Sequence, residues 1–427
     1  MMLPRAVTTI IVFAFAVGCT TGGDAPAKAF VGATIIDGSG APPIENGVLL
    51  VRAGRIEAVG PDASITVPES AERIDVAGRT IIPGLINAHG HIGDTRGLEG
   101  DQYSEANVLY QLRLNARYGV TTVNSLGGDG AEGVRVRDAQ SAPGLDRARL
   151  LVAGAVVTGE TPEEVRHAVD ENIAMEVNFI KIRVDDNLGT STKMAPAVFQ
   201  AVIDRAHEQG VRVASHLYYL EDAKALLRAG TDFVAHSVRD LPVDAEFIAL
   251  MNERDICYSP TLTREVSTFV YEDVPDFFED PFFLREVDPA VLEALKDPDR
   301  QRSVRESRGA QQYKQALQIA LANLRPLADG GVRIAMGTDA GPPARFQGYF
   351  EHMELALMAE AGLTPMEIIK SATGDAAACL GLGDVGTLEA RKWADFVVLR
   401  ENPLENIENT RSIESVWIAG NRVPERR

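Results

Sequence analysis

Short apolar runs punctuate the middle of the chain, at residues 85–88, 121–125, 150–153, 179–184, 211–215, 233–235, 256–259 and 332–336. Each is too short for a helix and is bounded by Gly, Pro or polar residues, which predicts buried strands. Amphipathic stretches with readable starts lie between them. Thr161-Pro162-Glu163-Glu164 and Thr364-Pro365-Met366-Glu367 each combine an N-cap Thr, Pro at the first helical position and a reciprocal Glu. Strand and helix alternate, which predicts a parallel sheet with crossover helices. Eight such units over roughly 290 residues fit a (β/α)8 TIM-type barrel.

The two ends have a different texture. Val48-Leu49-Leu50-Val51 followed by Gly54-Arg55-Ile56-Glu57-Ala58-Val59 reads as a hairpin, and Thr80-Ile81-Ile82-Pro83-Gly84 as a strand closed by a turn. Near the C-terminus, 394–399 and 415–418 are again strands, before a Gly420-Asn421 turn. Both ends are therefore expected to build one small discontinuous β-sandwich, from 29–83 and 383–427, around a barrel at 84–382. Inside the barrel, 261–331 is a long insertion carrying aromatics such as Phe277, Phe278, Phe282 and Phe283. Connections of that length are usually functional. It would serve equally as a lid or as an interface between copies of the chain, which leaves a homo-oligomer open.

Residues 1–18 read as an address. Arg5 precedes an uncharged, mostly apolar run from Ala6 to Gly18. As a helix that run covers roughly 20 Å, short of a bilayer core of about 30 Å, so it is a signal peptide rather than a span. Ala16-Val17-Gly18-Cys19 resembles the lipobox of bacterial lipoproteins. That resemblance implies lipidation of Cys19, a tether over 19–28, and an exported, membrane-anchored protein facing the periplasm or cell exterior. Ala16 stands where Leu is usual, which keeps ordinary cleavage open. Cys257 and Cys379 then remain as a pair or as two buried thiols.

Composition narrows the function. The chain has 427 residues, 45% hydrophobic and 24% charged, which is globular composition. Lys+Arg of 42 against Asp+Glu of 61 gives a net charge of -19, which repels phosphate backbones and argues against nucleic acid as a partner. A small-molecule substrate is the expected partner.

The chemistry concentrates at strand ends. His89-Gly90-His91 follows the run 82–88, and positions i and i+2 of a strand face one side, so both imidazoles can grip one ion. Lys181 sits inside Phe179-Ile180-Lys181-Ile182, where an unpaired ammonium costs several kcal/mol unless it snorkels out at a strand edge. His216, His236 and Asp339 end the runs 211–215, 231–235 and 332–338. Active sites of barrels are built at the C-terminal ends of strands. Four of the seven histidines lie at such ends; His167, His207 and His352 fall on predicted helices and read as surface or packing residues.

These residues, with the flanks Ile82-Pro83-Gly84-Leu85-Ile86-Asn87-Ala88 and Met336-Gly337-Thr338-Asp339-Ala340-Gly341, resemble the amidohydrolase superfamily. The similarity runs from about Ala29 to Val423 and is nearest the branch of imidazolonepropionase-like proteins and prolidase-type dipeptidases. It implies the barrel with its small β-sandwich and two divalent metal ions, commonly zinc. His89, His91 and Asp339 would hold one ion, and His216 and His236 the other. Lys181, carboxylated by carbon dioxide, would bridge them with a hydroxide. Asp339 would move the proton in catalysis. Tyr218 would donate to the oxyanion or merely pack at the rim. Arg239 would fork onto a substrate carboxylate or pair with Asp240 or another acid. Arg183 and Arg345 are weaker candidates of the same kind. The connection after the third strand lacks the glycine-rich excursion of the dipeptidase-like relatives, so their substrate preference does not transfer. The expected function is metal-dependent hydrolysis of an amide bond in a small substrate, such as an N-acyl amino acid, dipeptide or cyclic amide. A lactonase or esterase on the same site, and a lipoprotein that holds metal or ligand without turnover, are the alternatives.

Overall fold

The strands of the two chain ends hydrogen-bond into one sheet. In the computed structural model, which describes residues 26–426, the N-terminal part supplies β1 (Lys28–Ile35), β2 (Ile44–Arg52), β3 (Arg55–Pro61), β4 (Glu72–Asp75) and β5 (Thr80–Pro83). The expected signal peptide, the lipidated Cys19 and most of the tether lie outside the described residues.

The middle of the chain supplies β6 (Leu85–Gly90), β7 (Val120–Ser125), β8 (Arg149–Val152), β9 (Phe179–Arg183), β10 (Arg212–His216), β11 (Phe233–Ala235), β12 (Cys257–Ser259) and β13 (Arg333–Ile334). The C-terminal part adds β14 (Phe396–Leu399), β15 (Ile413–Ile418) and β16 (Asn421–Arg422).

Strands from both ends run in the order β16-β15-β14-β5-β1-β2-β3, with β4 also on β1. β1 changes partners along its length: Lys28–Val31 pair with β4, whereas Thr34 and Ile35 pair with β5. The switch falls at Gly32, whose φ of +91° suits glycine and where a Cβ would lie only 3.2 Å from Ala77. The bonding is therefore a single branched sheet rather than two separately bonded layers of a sandwich. β14 pairs antiparallel with β5 and brings the ends together. Phe30 packs edge-on against Phe396 and Trp417, each at 4.9 Å between ring centroids.

The middle forms a TIM-barrel-like α/β fold. β6-β7-β8 and β9 through β13 are parallel runs of three and five strands. Hydrogen bonds also cross both gaps between them. Val157 bridges to Ile182 on one side, and Ala88 N donates to Met336 O (2.8 Å) on the other. All eight apolar runs overlap these strands, with ends shifted by a few residues. Both expected capping boxes are formed, at Thr161 with Glu164 and at Thr364 with Glu367.

The long insertion is helical, and its aromatics pack inward. Tyr271, Phe278 and Phe283 are buried with Tyr118, Tyr349 and Phe350, and Phe283 meets Phe346 edge-on at 4.8 Å. Cys257 on β12 and Cys379 on the helix Gly374–Leu380 form a disulfide across 122 residues of sequence. That resolves the two open readings of these thiols in favour of the pair. Peptide mapping without reductant is expected to recover the linked Cys257–Cys379 fragment. Cys379→Ser should lower the unfolding free energy by about 2–4 kcal/mol in denaturant titration.

Candidate metal centre

His89 lies near the end of β6 and His91 one residue past it, and both turn a ring nitrogen toward Asp339. His89 is held from behind: its N–H donates to Asn87 Oδ1 (3.0 Å). Its carbonyl accepts from both Thr338 N (3.0 Å) and Asp339 N (2.7 Å), which fixes the segment after β13 against β6. Gly337 permits this approach, since a Cβ there would lie 2.9 Å from His89 Cβ. Asp339 itself sits at φ +56°. The ligand atoms of His89, His91 and Asp339 all lie within 4.8 Å of one another.

The other loci arrive from neighbouring strands. Lys181, in the middle of β9, is 3% exposed, and its Nζ lies 2.9 Å from His89 Nε2. The His236 ring lies 4.6 Å from that of His89, and the His216 ring 4.2 Å from that of His236. His91, Lys181, His216, His236 and Asp339 line one cavity of about 220 Å³. Helix positions hold the remaining histidines, as expected: His167 and His207 lie near the surface, and His352 is buried between Thr410 and the Tyr118 carbonyl.

Three imidazoles have one nitrogen committed to an outer partner. His91 Nδ1 lies 2.9 Å from Gly127 O, a group that only accepts, so Nδ1 carries a proton and Nε2 is the nitrogen turned into the site. His91 Nε2 faces Asp339 Oδ1 at 2.8 Å, so the two donor atoms that would share an ion lie side by side. His216 Nε2 lies 2.9 Å from Asp185 Oδ2, which leaves Nδ1 free. His236 Nδ1 meets Thr261 Oγ1 at 2.7 Å. Metal-binding imidazoles are oriented in this way, by an acceptor on the far nitrogen. Four imidazoles and a carboxylate suit zinc or another first-row divalent ion, so the residues present fit the expected metal.

The electrostatics agree. Burial, reinforced by Lys181, holds His89 well below the usual imidazole pKa, and burial with the His216 charge does the same to His236. Burial lowers His216 to about 3 and Lys181 to about 7. All three rings are thus neutral lone-pair donors near neutral pH. Burial works to raise the Asp339 pKa, but Arg345, His91 and His89 outweigh it and hold the carboxyl well below its usual range.

Two expected substrate contacts lie elsewhere. Arg239 is 0% exposed and does not line the cavity. Its Nε lies 3.0 Å from Glu265 Oε1, and its Nη1 donates to the carbonyls of Leu217 (2.9 Å) and Ser237 (2.7 Å). The ion-pair reading therefore replaces the substrate fork, with Glu265 as the acid, while Asp240 caps Leu220 N instead. Tyr218 is also away from the cavity wall, packed between Tyr219 and Tyr313 with the Arg239 guanidinium 4.8 Å from its ring centre. Its packing reading fits this position. The weaker candidates Arg183 and Arg345 do line the cavity, and Arg345 hydrogen-bonds Asp339 Oδ2.

Asp185 and Thr261 were missed from the sequence. Arg183 and His216 are register partners across β9 and β10, so an acid two residues beyond Arg183 lies beside the imidazole. That register was the available signal for Asp185. Thr261, three residues past Tyr258 and in the left-handed region at φ +48°, carried no comparable signal.

A model of the amidohydrolase family matches residues 80–423. The ochratoxinase of Aspergillus niger is 27% identical over 281 residues, which cover 63% of this chain and 51% of that protein; the chain thus spans about half the length of that relative. An imidazolonepropionase from Pseudomonas putida is 25% identical over 403 residues, 83% of this chain and 87% of the relative. Among solved structures, a putative prolidase from Bifidobacterium longum superposes with a TM-score of 0.74 and 27% identity, over 94% of this chain and 96% of that one.

Asp185→Ala releases the far nitrogen of His216. Calorimetric titration of the metal-stripped protein with zinc is expected to show affinity weakened by about 10–100-fold.

Proposed function

The chain belongs to the amidohydrolase family, and on that premise we propose that it is a binuclear, metal-dependent hydrolase that cleaves the C–N bond of a small amide. The carrying observation is that His91, Lys181, His216, His236 and Asp339, from five separate stretches of a TIM-barrel-like fold, line one cavity, with His89 buried against Lys181 beside them. The proposed architecture is a closed (β/α)8 barrel. His89, His91 and Asp339 form one half of the site, His216 and His236 the other, with Lys181 between them.

Divalent ions held there supply Lewis-acid polarisation of the scissile carbonyl and a lowered pKa for water. The chain's own groups do the rest. The Lys181 amine, lowered to about 7 by burial, is substantially neutral near physiological pH. A neutral amine adds carbon dioxide through its nitrogen lone pair and releases a proton, which turns a cationic neighbour of the ligands into an anionic one. Asp339, kept ionised, takes the proton lost as water adds to the carbonyl carbon and passes it to the leaving nitrogen. A C–O bond forms and the C–N bond breaks. Arg183 and Arg345 on the wall offer guanidinium groups to a substrate carboxylate such as that of an N-acyl amino acid or dipeptide.

Export and anchoring through Cys19 belong to the same proposal. The Cys257–Cys379 disulfide supports an oxidising compartment. Among the described residues no helix is long and apolar enough to cross a membrane.

Metal analysis should find about two ions per chain. Assay on N-acyl amino acids, dipeptides and cyclic amides beside matched esters and lactones should give amide turnover. Turnover confined to the esters, or metal without turnover, would overturn the assignment. Asp339→Asn is expected to lose about 10²–10⁴-fold in kcat. Lys181→Ala should lose metal and recover in part with added short carboxylates. The anchor is checked by detergent partitioning of the native protein, which Cys19→Ala should abolish.

A further inference from the structure

Two carboxyl groups lie behind the site and take no part in the chemistry proposed above. Glu351 and Glu354, on the helix Tyr349–Glu360, are both fully buried. Three residues apart, they share one face of that helix. Neither forms an ion pair among the described residues; burial raises Glu351 to about 7 and Glu354 to about 8. Buried acids without a counter-charge are costly, so their contacts need an account.

Those contacts converge on the segments that carry the site. Glu351 Oε1 accepts from Asn87 Nδ2 at 2.6 Å, and Thr338 Oγ1 lies 3.4 Å from the same oxygen. Asn87 also reaches Thr338 Oγ1 (2.8 Å) while its carbonyl holds His89 N. Thr338 immediately precedes Asp339. Glu354 caps the helix Leu262–Phe269, accepting from Leu262 N (2.7 Å) and Thr263 N (2.8 Å). The residue before that helix is Thr261, the partner of His236. Thr263 Oγ1 lies 2.7 Å from Glu354 Oε2 and 3.1 Å from Thr338 O. A hydroxyl has one proton for two acceptors, so a proton on Glu354 completes the chain from carboxyl to hydroxyl to the Thr338 carbonyl.

We infer that Glu351 and Glu354 are positioning residues that set the placement of His89, His236 and Asp339, acting through Asn87, Thr338 and the Thr261–Thr263 turn. One helix thereby locks three of the converging segments from behind. The inference rests on the hydrolase reading only for what the positioned groups do.

The test uses the full chain, stripped of metal, with hydrogen–deuterium exchange and zinc titration as readouts. Glu351→Met and Glu354→Met keep side-chain volume and remove the acceptors. Each is expected to raise exchange in residues 87–92, 261–263 or 338–341 by about tenfold or more, and to weaken zinc binding by about 10–100-fold. Glu351→Gln keeps an acceptor oxygen for Asn87 and should restore both readouts. Asp395→Asn, at a buried acid paired with Arg149 away from the site, is the control and should move neither. The inference is overturned if the Met variants behave as the wild type in both readouts, or if the control loosens the same segments. Should the Met variants not fold, Thr263→Val decides by the same measurements, since it removes only the shared hydroxyl. A wild-type protein that takes up no zinc sinks the metal-hydrolase reading, while the exchange comparison still decides the role of the two acids.

Discussion

Taking four imidazoles, an amine and a carboxylate out of water into one cluster leaves lone pairs that only protons or cations can satisfy. Protons are a poor answer here, because burial and mutual repulsion keep the rings of His89, His216 and His236 neutral. The His91 ring, with its far nitrogen committed to Gly127 O, turns Nε2 toward the Asp339 carboxylate. Such a donor set suits a divalent ion, and the rest of the architecture holds these donors together.

The holding is done mostly by the backbone. The His89 carbonyl takes two N–H groups from the Thr338–Asp339 segment, and Gly337 lets the two stretches touch. The parallel register of β9 with β10, and of β10 with β11, sets Lys181, His216 and His236 at neighbouring places on one rim. Side chains then fix the rings: Asp185 for His216, Thr261 for His236, Asn87 for the His89 backbone. Glu351 and Glu354 tie these supports to a single helix behind the rim.

Arg239 and Arg345 show where reading by position along the chain fails. Arg239 stands three residues past a candidate ligand and carries the fork expected for a carboxylate. Its partner Glu265 comes from the helix Leu262–Phe269, and the pair is fully buried. Arg345 stands six residues past Asp339, in a segment with no strand or helix signal, yet the turn that follows Asp339 folds it back onto that carboxylate. Local sequence gives both the same chemistry; the return path of the chain separates them.

The sequence by itself determined the elements and the donor set. Short apolar runs marked the eight strands and capping signals the helices between them, and residue type in or just past those runs marked His89, His91, Lys181, His216, His236 and Asp339 as candidates. Those signals are local: burial of a strand and the choice of a metal-binding side chain are written in a few adjacent positions. Only the tertiary structure decided that Cys257 meets Cys379, that β1 branches between β4 and β5, that Asp185 orients His216, and that Arg345 rather than Arg239 faces the cavity. Each of those is a contact between segments far apart in sequence. Its energy depends on distance and on exclusion of water, which no pattern along the chain records.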